Sequence, residues 1–324
     1  MISTTSSGAA PAVQLRGLAK SFNDKVAVRN LDLVVPRGST YGLIGPNGAG
    51  KTTTIRMMLR VLDPDRGEVE ILGQPLTQDS LAQIGYLPEE RGIYRQMRVR
   101  RLLQFFAELK GMPSREAGPK IAHWLEKFDL SDRANAKVQE LSKGNQQKIQ
   151  FIASILHEPA IMVMDEPFSG LDPINQQLLK EIIVDLKRAG KTIIFSTHII
   201  EHAERICDHV CIIARGYKVA DGTMSQVKRI RGDNYVAITF DPWTREASSA
   251  LRSAKVVSNV QENGPTAEVT LRPGSDPQEL LRHLVNAGVR LKRFDYGEPS
   301  LEQVFLETVG TSEDIISDIE AAHV

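Results

Sequence analysis

The chain has 324 residues, with 40 Lys and Arg balancing 40 Asp and Glu, and 41% of its residues are hydrophobic. Such a length suggests about two domains of ~100–200 residues, and the neutral balance argues against sequence-independent nucleic-acid binding, which needs a dense basic surface; no nucleic-acid partner is expected. Cys207 and Cys211, the two cysteines, are too few for a disulfide framework and point to a reducing compartment, while no apolar run approaches the roughly 18–20 residues that cross a bilayer.

The opening MISTTSSGAAPA is rich in Ser, Thr and Ala and lacks the charged start and apolar stretch of a secretion signal; residues 1–12 are expected to form a disordered tail. VQLRGLAKSF reads as a strand, and LDLVV before Pro36-Arg37-Gly38 as a second strand ending in a turn. Thr40 to Ile44 is a short apolar run leading into a glycine-rich loop and a helical pattern, TTTIRMMLRVL. EVEIL (Glu68 to Leu72) alternates as a half-buried strand does. From about Tyr94 to Leu156 the patterns are helical: RRLLQFFAELKG, KIAHWLEKFDL and KGNQQKIQFIASIL. Ala160 to Met164 is then a buried strand ending in acids, PINQQLLKEIIVDLKRAG an amphipathic helix closed by Gly190, and KTIIFSTH another apolar strand. Strands alternating with helices imply an α/β fold with a parallel sheet, into which the helical block is inserted.

A second unit starts after about Ser225. YVAITF, AEVTL and VRLKRF read as its strands. Asp276, Pro277 and Glu279 supply an N-cap, an N1 proline and an N3 acid, with Gly288 closing that helix, and Ser300 with Gln303 forms a second capping box. Residues 226–310 are expected to be a small α+β domain without a catalytic constellation, and residues 311–324 a short acidic tail. No internal repeats are found.

Gly45-Pro46-Asn47-Gly48-Ala49-Gly50-Lys51-Thr52 fits the spacing GxxxxGK[ST] between a predicted strand and a predicted helix. Glycines let the chain turn tightly enough for successive backbone N–H groups to converge on a phosphate, and the positive end of the following helix adds to the attraction. Lys51 is placed to reach the β- and γ-phosphates and Thr52 to ligate Mg2+; Thr53 completes the nucleotide-binding run. IMVMDE (Ile161 to Glu166) is the matching half. Its apolar residues drive the strand into the sheet, so that Asp165 emerges to hold Mg2+ and Glu166 to polarise an attacking water. ATP and Mg2+ are the expected ligands.

Leu141-Ser142-Lys143-Gly144-Asn145-Gln146-Gln147-Lys148, ahead of the acidic strand, resembles the LSGGQ signature of ATP-binding-cassette (ABC) ATPases. Ser169-Gly170-Leu171-Asp172 resembles the D-loop of that family, His198 matches its switch histidine, and Phe22 falls where an aromatic residue stacks on adenine. The resemblance covers residues 13–225. It implies a P-loop NTPase core, an antiparallel β subdomain and a signature-bearing helical subdomain over about residues 90–156. It also implies that two cassettes pair head to tail, each ATP lying between Lys51 of one subunit and Ser142 and Gly144 of the other. Three residues depart from the pattern. Glu89, in GYLPEERGIY, replaces the usual Q-loop glutamine; a carboxylate still ligates Mg2+ but adds negative charge near the γ-phosphate. Lys143 replaces a glycine and is expected to offset part of that charge across the dimer. Asn145 replaces a glutamine, one methylene shorter.

The resemblance further implies partners: separately encoded transmembrane permease subunits, and a second cassette subunit forming a homodimer at the cytoplasmic face of the cell membrane. Arg91, Arg95, Arg98, Arg100 and Arg101 crowd the region that receives the permease's coupling helix in related cassettes. GYLPEERGIY, LSKGNQQK and EPSLEQVFLETVG look most like cassettes of bacterial exporters for drugs, sodium or other small solutes. The alternative is a soluble ABC ATPase with a mechanical or regulatory role, although the sequence has neither sustained heptads nor a second cassette. His202, Cys207, His209 and Cys211 match no zinc spacing well and are expected to pack, as are Trp124 and Trp243.

Overall fold

The computed structural model describes residues 10–23, 25–90, 92–231, 234–306 and 308–309. Arg91, residues 1–9 of the expected tail, and residues 310–324 lie outside the described residues. The chain divides into two compact units between Asp221 and Gly222.

In the first unit the elements run β1 (Val13–Phe22), β2 (Lys25–Val35), β3 (Thr40–Ile44), α1 (Lys51–Met58), β4 (Arg66–Ile71), β5 (Gln74–Pro75), α2 (Gln78–Ala82), β6 (Ile84–Leu87), α3 (Val99–Leu109), α4 (Ser114–Lys127), α5 (Lys143–Ile155), β7 (Ile161–Asp165), α6 (Pro173–Arg188), β8 (Thr192–Thr197), α7 (Ile200–Ile206), β9 (His209–Ala214) and β10 (Tyr217–Thr223). Two sheets result. One is antiparallel, in the order β2-β1-β4-β5, and the other runs β10-β9-β3-β8-β7-β6 with parallel pairing from β9 to β6. Every residue of β3, β7 and β8 is buried, which explains why they read as continuous apolar runs rather than alternating ones.

Helix α1 lies in a core shared by both sheets. Its Ile55, Met57 and Met58 pack in one cluster with Leu15, Leu31 and Leu33 of the antiparallel sheet and Leu43, Ile194 and Ile213 of the parallel one. Each such fully buried side chain contributes about 1.5–3 kcal/mol of transfer free energy. The glycine-rich loop is thereby mounted on a rigid base. The helix is shorter than the pattern TTTIRMMLRVL predicted, because Arg60 adopts a left-handed φ of 54° and turns the chain. In the helical block, α3 buries Val99, Leu102, Leu103 and Ala107 at helical spacing, and α3, α4 and α5 pack on one another.

The second unit contains α8 (Met224–Lys228), β11 (Tyr235–Phe240), α9 (Arg245–Ser253), β12 (Val257–Asn263), β13 (Thr266–Leu271), α10 (Pro277–Asn286) and β14 (Leu291–Gly297), followed by a helix over residues 301–306. Its antiparallel sheet has the order β12-β13-β11-β14. Val236, Ile238, Val269 and Leu271 pack with Leu251 of α9 and Leu280 and Leu284 of α10. Asp276 caps α10 by accepting from the Gln278 N–H at 2.9 Å, and Ser300 and Gln303 make both bonds of the predicted capping box, at 2.8 and 3.2 Å. No helix among the described residues is long and apolar enough to cross a membrane.

Candidate functional site

The carboxyl ends of β3 and β7 lead into a cleft of about 450 Å³. Asn47, Gly48, Gly50, Lys51, Thr52 and Thr53 form one wall, Glu89 and Glu166 another, and Phe22, Lys25 and Ala27 of the antiparallel sheet a third. Two glycines are required for different reasons. A Cβ on Gly45 would lie 2.2 Å from the Ile213 carbonyl oxygen, so the loop leaves β3 by close backbone contact. Gly50, the N-cap of α1, takes a φ of 110°, and a Cβ there would lie 2.4 Å from the Ala27 carbonyl. Within the loop the Ala49 N–H donates to the Pro46 carbonyl at 3.2 Å.

Lys51 is 6% exposed. Its Nζ folds back to donate to the Gly45 and Pro46 carbonyls at 2.7 and 3.1 Å and lies 3.7 Å from Glu166 Oε1. Burial lowers its pKa, opposed by the charges of Glu166, Asp165 and Glu89. Thr52 Oγ1 donates to Asp165 Oδ1 at 3.2 Å, bringing together residues 113 positions apart. Asp165 is 2% exposed, and its other oxygen, Oδ2, is buried without a hydrogen-bond partner. A buried carboxylate oxygen is costly to leave unpaired, and a divalent cation beside Thr52 would satisfy it. No group of three or more His, Cys, Asp or Glu suited to a metal exists among the described residues. Mg2+ binds through one or two carboxylates plus water and phosphate oxygens rather than in an all-protein cage, and Thr52 with Asp165 offers such a partial donor set.

Glu166 is 7% exposed and has a φ of 48°, an uncommon backbone state for a residue other than glycine. His198 Nδ1 lies 2.9 Å from its Oε1, within hydrogen-bond distance. Sequence reasoning missed the residue that holds both acids. Ser196 stands opposite Asp165 in the β7–β8 register. Its hydroxyl donates to Asp165 Oδ1 and accepts from the Glu166 N–H at 3.1 Å. Lys25 also lines the cleft, where an exposed lysine beginning a strand carries no motif. Glu89, exposed on the cleft wall, has its pKa raised, first by partial burial and then by the charges of Asp165 and Glu166. Gln150 of α5 donates to the carbonyls on either side of it, Pro88 at 3.4 Å and Glu90 at 3.2 Å.

The signature residues stand elsewhere. Ser142 caps α5, accepting from the Asn145 N–H at 3.3 Å, and Lys143 is exposed. A Cβ on Gly144 would be 3.8 Å from the Gly170 carbonyl, so this turn lies against the 169–172 loop. Asp172 caps α6 by accepting from the Asn175 N–H at 3.0 Å. Among the described residues lining the cleft there is none of Ser142, Lys143, Gly144, Asn145 or Asp172. Phe22 does line it, 47% exposed, with Lys20 Nζ 5.8 Å from its ring centroid.

The other candidates are packed. Cys207 and Cys211 are buried, which raises both thiol pKa values. His202 meets the Phe168 ring edge-on at 4.5 Å and Tyr41 stacks with His209. Trp124 packs near Phe128 and Trp243 near Phe240. A second cavity, of about 330 Å³, includes Pro88, Ile93, Phe106, Leu109 and Ala153 in its lining. Arg95, Arg98, Arg100 and Arg101 are exposed along the adjoining segment.

Residues 28–169 match the ABC transporter family, and residues 222–309 match the family described as ATP-binding protein DrrA1-3-like, C-terminal domain. The chain is 43% identical over 293 residues to "Uncharacterized ABC transporter ATP-binding protein YhaQ" of Bacillus subtilis (strain 168), covering 90% of this chain and 97% of that protein. It is 36% identical over 303 residues to "Nod factor export ATP-binding protein I" of Rhizobium sp. (strain N33), covering 92% and 97%. A solved structure described as the ATP binding subunit of an ABC transporter superposes with a TM-score of 0.65 at 32% identity, over 68% of this chain and 93% of that one.

Proposed function

The chain belongs to the ATP-binding, ATP-hydrolysing subunits of ABC transporters, and from that premise we propose that its cleft works as one half of a paired site, closed by a second copy bound head to tail. Backbone N–H groups of the loop and the amino end of α1 cradle the phosphates. Lys51 Nζ exchanges the Gly45 and Pro46 carbonyls for the β- and γ-phosphates, and Phe22 stacks on adenine. Thr52, Asp165 and Glu89 would hold Mg2+, which would supply charge neutralisation at the phosphates. Glu166 takes the proton of the attacking water, and His198 and Ser196 fix its carboxylate and backbone. Ser142, Lys143, Gly144, Asn145 and Asp172 act on the nucleotide of the opposite subunit.

The observation carrying this reading is a division. Lys51, Thr52 and Glu166 line one cleft, with Asp165 bonded to Thr52 and His198 beside Glu166, while the capped turn at Ser142 and the Asp172 loop supply none of its lining. A site split in this way is completed by a second subunit, so that ATP joins the pair and hydrolysis loosens it, a ligand-dependent two-state element. The apolar groove beside Ile93 and Phe106, flanked by exposed arginines, suits a helix from a separately encoded permease, and this reading has the chain acting peripherally at the cytoplasmic face of the membrane. Export is the direction supported by the likeness to Nod factor export proteins over nearly the whole chain.

The test is sedimentation with MgATP. Glu166→Gln binds ATP and accumulates a dimer while turnover falls at least about 100-fold, the scale of a lost general base. Ser142→Arg in the same background binds ATP as a monomer. Wild-type turnover in Glu166→Gln removes that residue from the catalytic role, and a persistent dimer in the Ser142 variant removes the shared site.

A further inference from the structure

The cleft holds more negative charge than a triphosphate site needs. Three carboxylates, those of Glu89, Asp165 and Glu166, act on the one buried ammonium, Lys51. Exposed Lys25 is the only other cation on the described lining. Glu166 already has a cationic neighbour, at 3.7 Å from Lys51, and an imidazole at 2.9 Å. Among the described residues Glu89 makes no ion pair and meets no imidazole, Lys51 acting on it only through its charge, yet its backbone is held in place, because Gln150 donates to the carbonyls of both Pro88 and Glu90. On the other side of the site, Asp165 Oδ2 is buried and unpaired. A carboxylate carried on a held backbone at the wall and an orphaned carboxylate oxygen at the base are two hard oxygen donors without a direct partner among the described residues.

Resting on the metal reading above, we infer that Glu89 couples nucleotide binding in this chain to a divalent cation, repelling the bare triphosphate and becoming an oxygen donor once the cation is present. An amide at this place would only weakly oppose the bare phosphates. A carboxylate opposes them with a full charge and then converts that opposition into a ligand. Glu89 thus acts as a selectivity residue, on a backbone that Gln150 ties to α5.

The experiment is calorimetric titration of the full chain with a non-hydrolysable ATP analogue, once in Mg2+ and once in EDTA. The ratio of the two dissociation constants measures the coupling between cation and nucleotide. Glu89→Gln, an isosteric change at an exposed position, binds the bare analogue more tightly than the parent and lowers the ratio about tenfold, or ~1.4 kcal/mol. Asp165→Asn is the control and lowers the ratio as well. If Asp165→Asn lowers it while Glu89→Gln leaves it within twofold of the parent, the inference about Glu89 is overturned and the metal site stands. If neither variant changes it, the metal site itself is overturned, and this inference with it.

Discussion

Ser196 offers the sharpest test of how the acids are held. The residue is fully buried, and its hydroxyl bridges Asp165 Oδ1 and the Glu166 N–H. In Ser196→Ala the Glu166 N–H keeps a partner, because the Ser196 backbone carbonyl also accepts from it at 3.2 Å. The loss therefore falls on Asp165, which retains only the 3.2 Å bond from Thr52 on that oxygen. A hydrogen bond to a charged group contributes about 1.5–3 kcal/mol, so we take ~2 kcal/mol for the change. In a unit of this size that lowers the melting temperature by about 4–8 °C. If the same amount is lost from the transition state, turnover falls roughly 30-fold. ATP affinity stays within about twofold, since Ser196 does not line the cleft. Calorimetry and phosphate release read the two effects separately. Ser196→Thr, which keeps the hydroxyl, recovers most of the turnover. A Ser196→Ala protein with parental melting temperature and turnover would refute the argument that this hydroxyl organises the acids.

Two further outcomes are expected. Lys51→Ala removes the buried ammonium that faces Glu166 and raises the dissociation constant for MgATP about 100-fold, the scale of one or two charge-assisted phosphate contacts; unchanged affinity by calorimetry would contradict the phosphate-loop assignment. His202 is 6% exposed, and burial, reinforced by the Lys180 charge, depresses its pKa from 6.5 to about 4. The unfolded chain therefore binds the extra proton between these values, so stability is fully present above pH 6.5 and falls as the pH drops towards 4, by up to about 3 kcal/mol. His157, also depressed to about 4 by burial, adds to the same slope. His202→Leu flattens part of it, measured as urea midpoints at pH 7 and pH 5; an unchanged slope would show that His202 does not titrate there.

Three of the elements that the sequence missed share a physical cause. Edge strand β12, VSNVQEN, is largely polar because only Val257 of its residues is fully buried. Helix α9 is anchored by two buried residues, Ala247 and Leu251, too few for a clear helical period. Strand β6 has four residues, a length at which periodicity says little. Each borrows its stability from neighbours, so its local pattern is weak.

What the sequence determined by itself was the local chemistry. The loop from Gly45 to Thr52, the apolar strand ending in Asp165 and Glu166, the Ser142 cap and the Ser300–Gln303 box each act within a few residues, where backbone geometry follows from residue type. Only the tertiary structure decided which distant groups meet. Ser196 reaches Asp165 because β8 lies beside β7 in a register that pairs them, and Gln150 reaches the backbone around Glu89 across 60 residues of chain. Register and helix packing depend on the whole core closing at once. A hydroxyl or an amide that acts through them therefore leaves no mark on its own neighbourhood in the sequence.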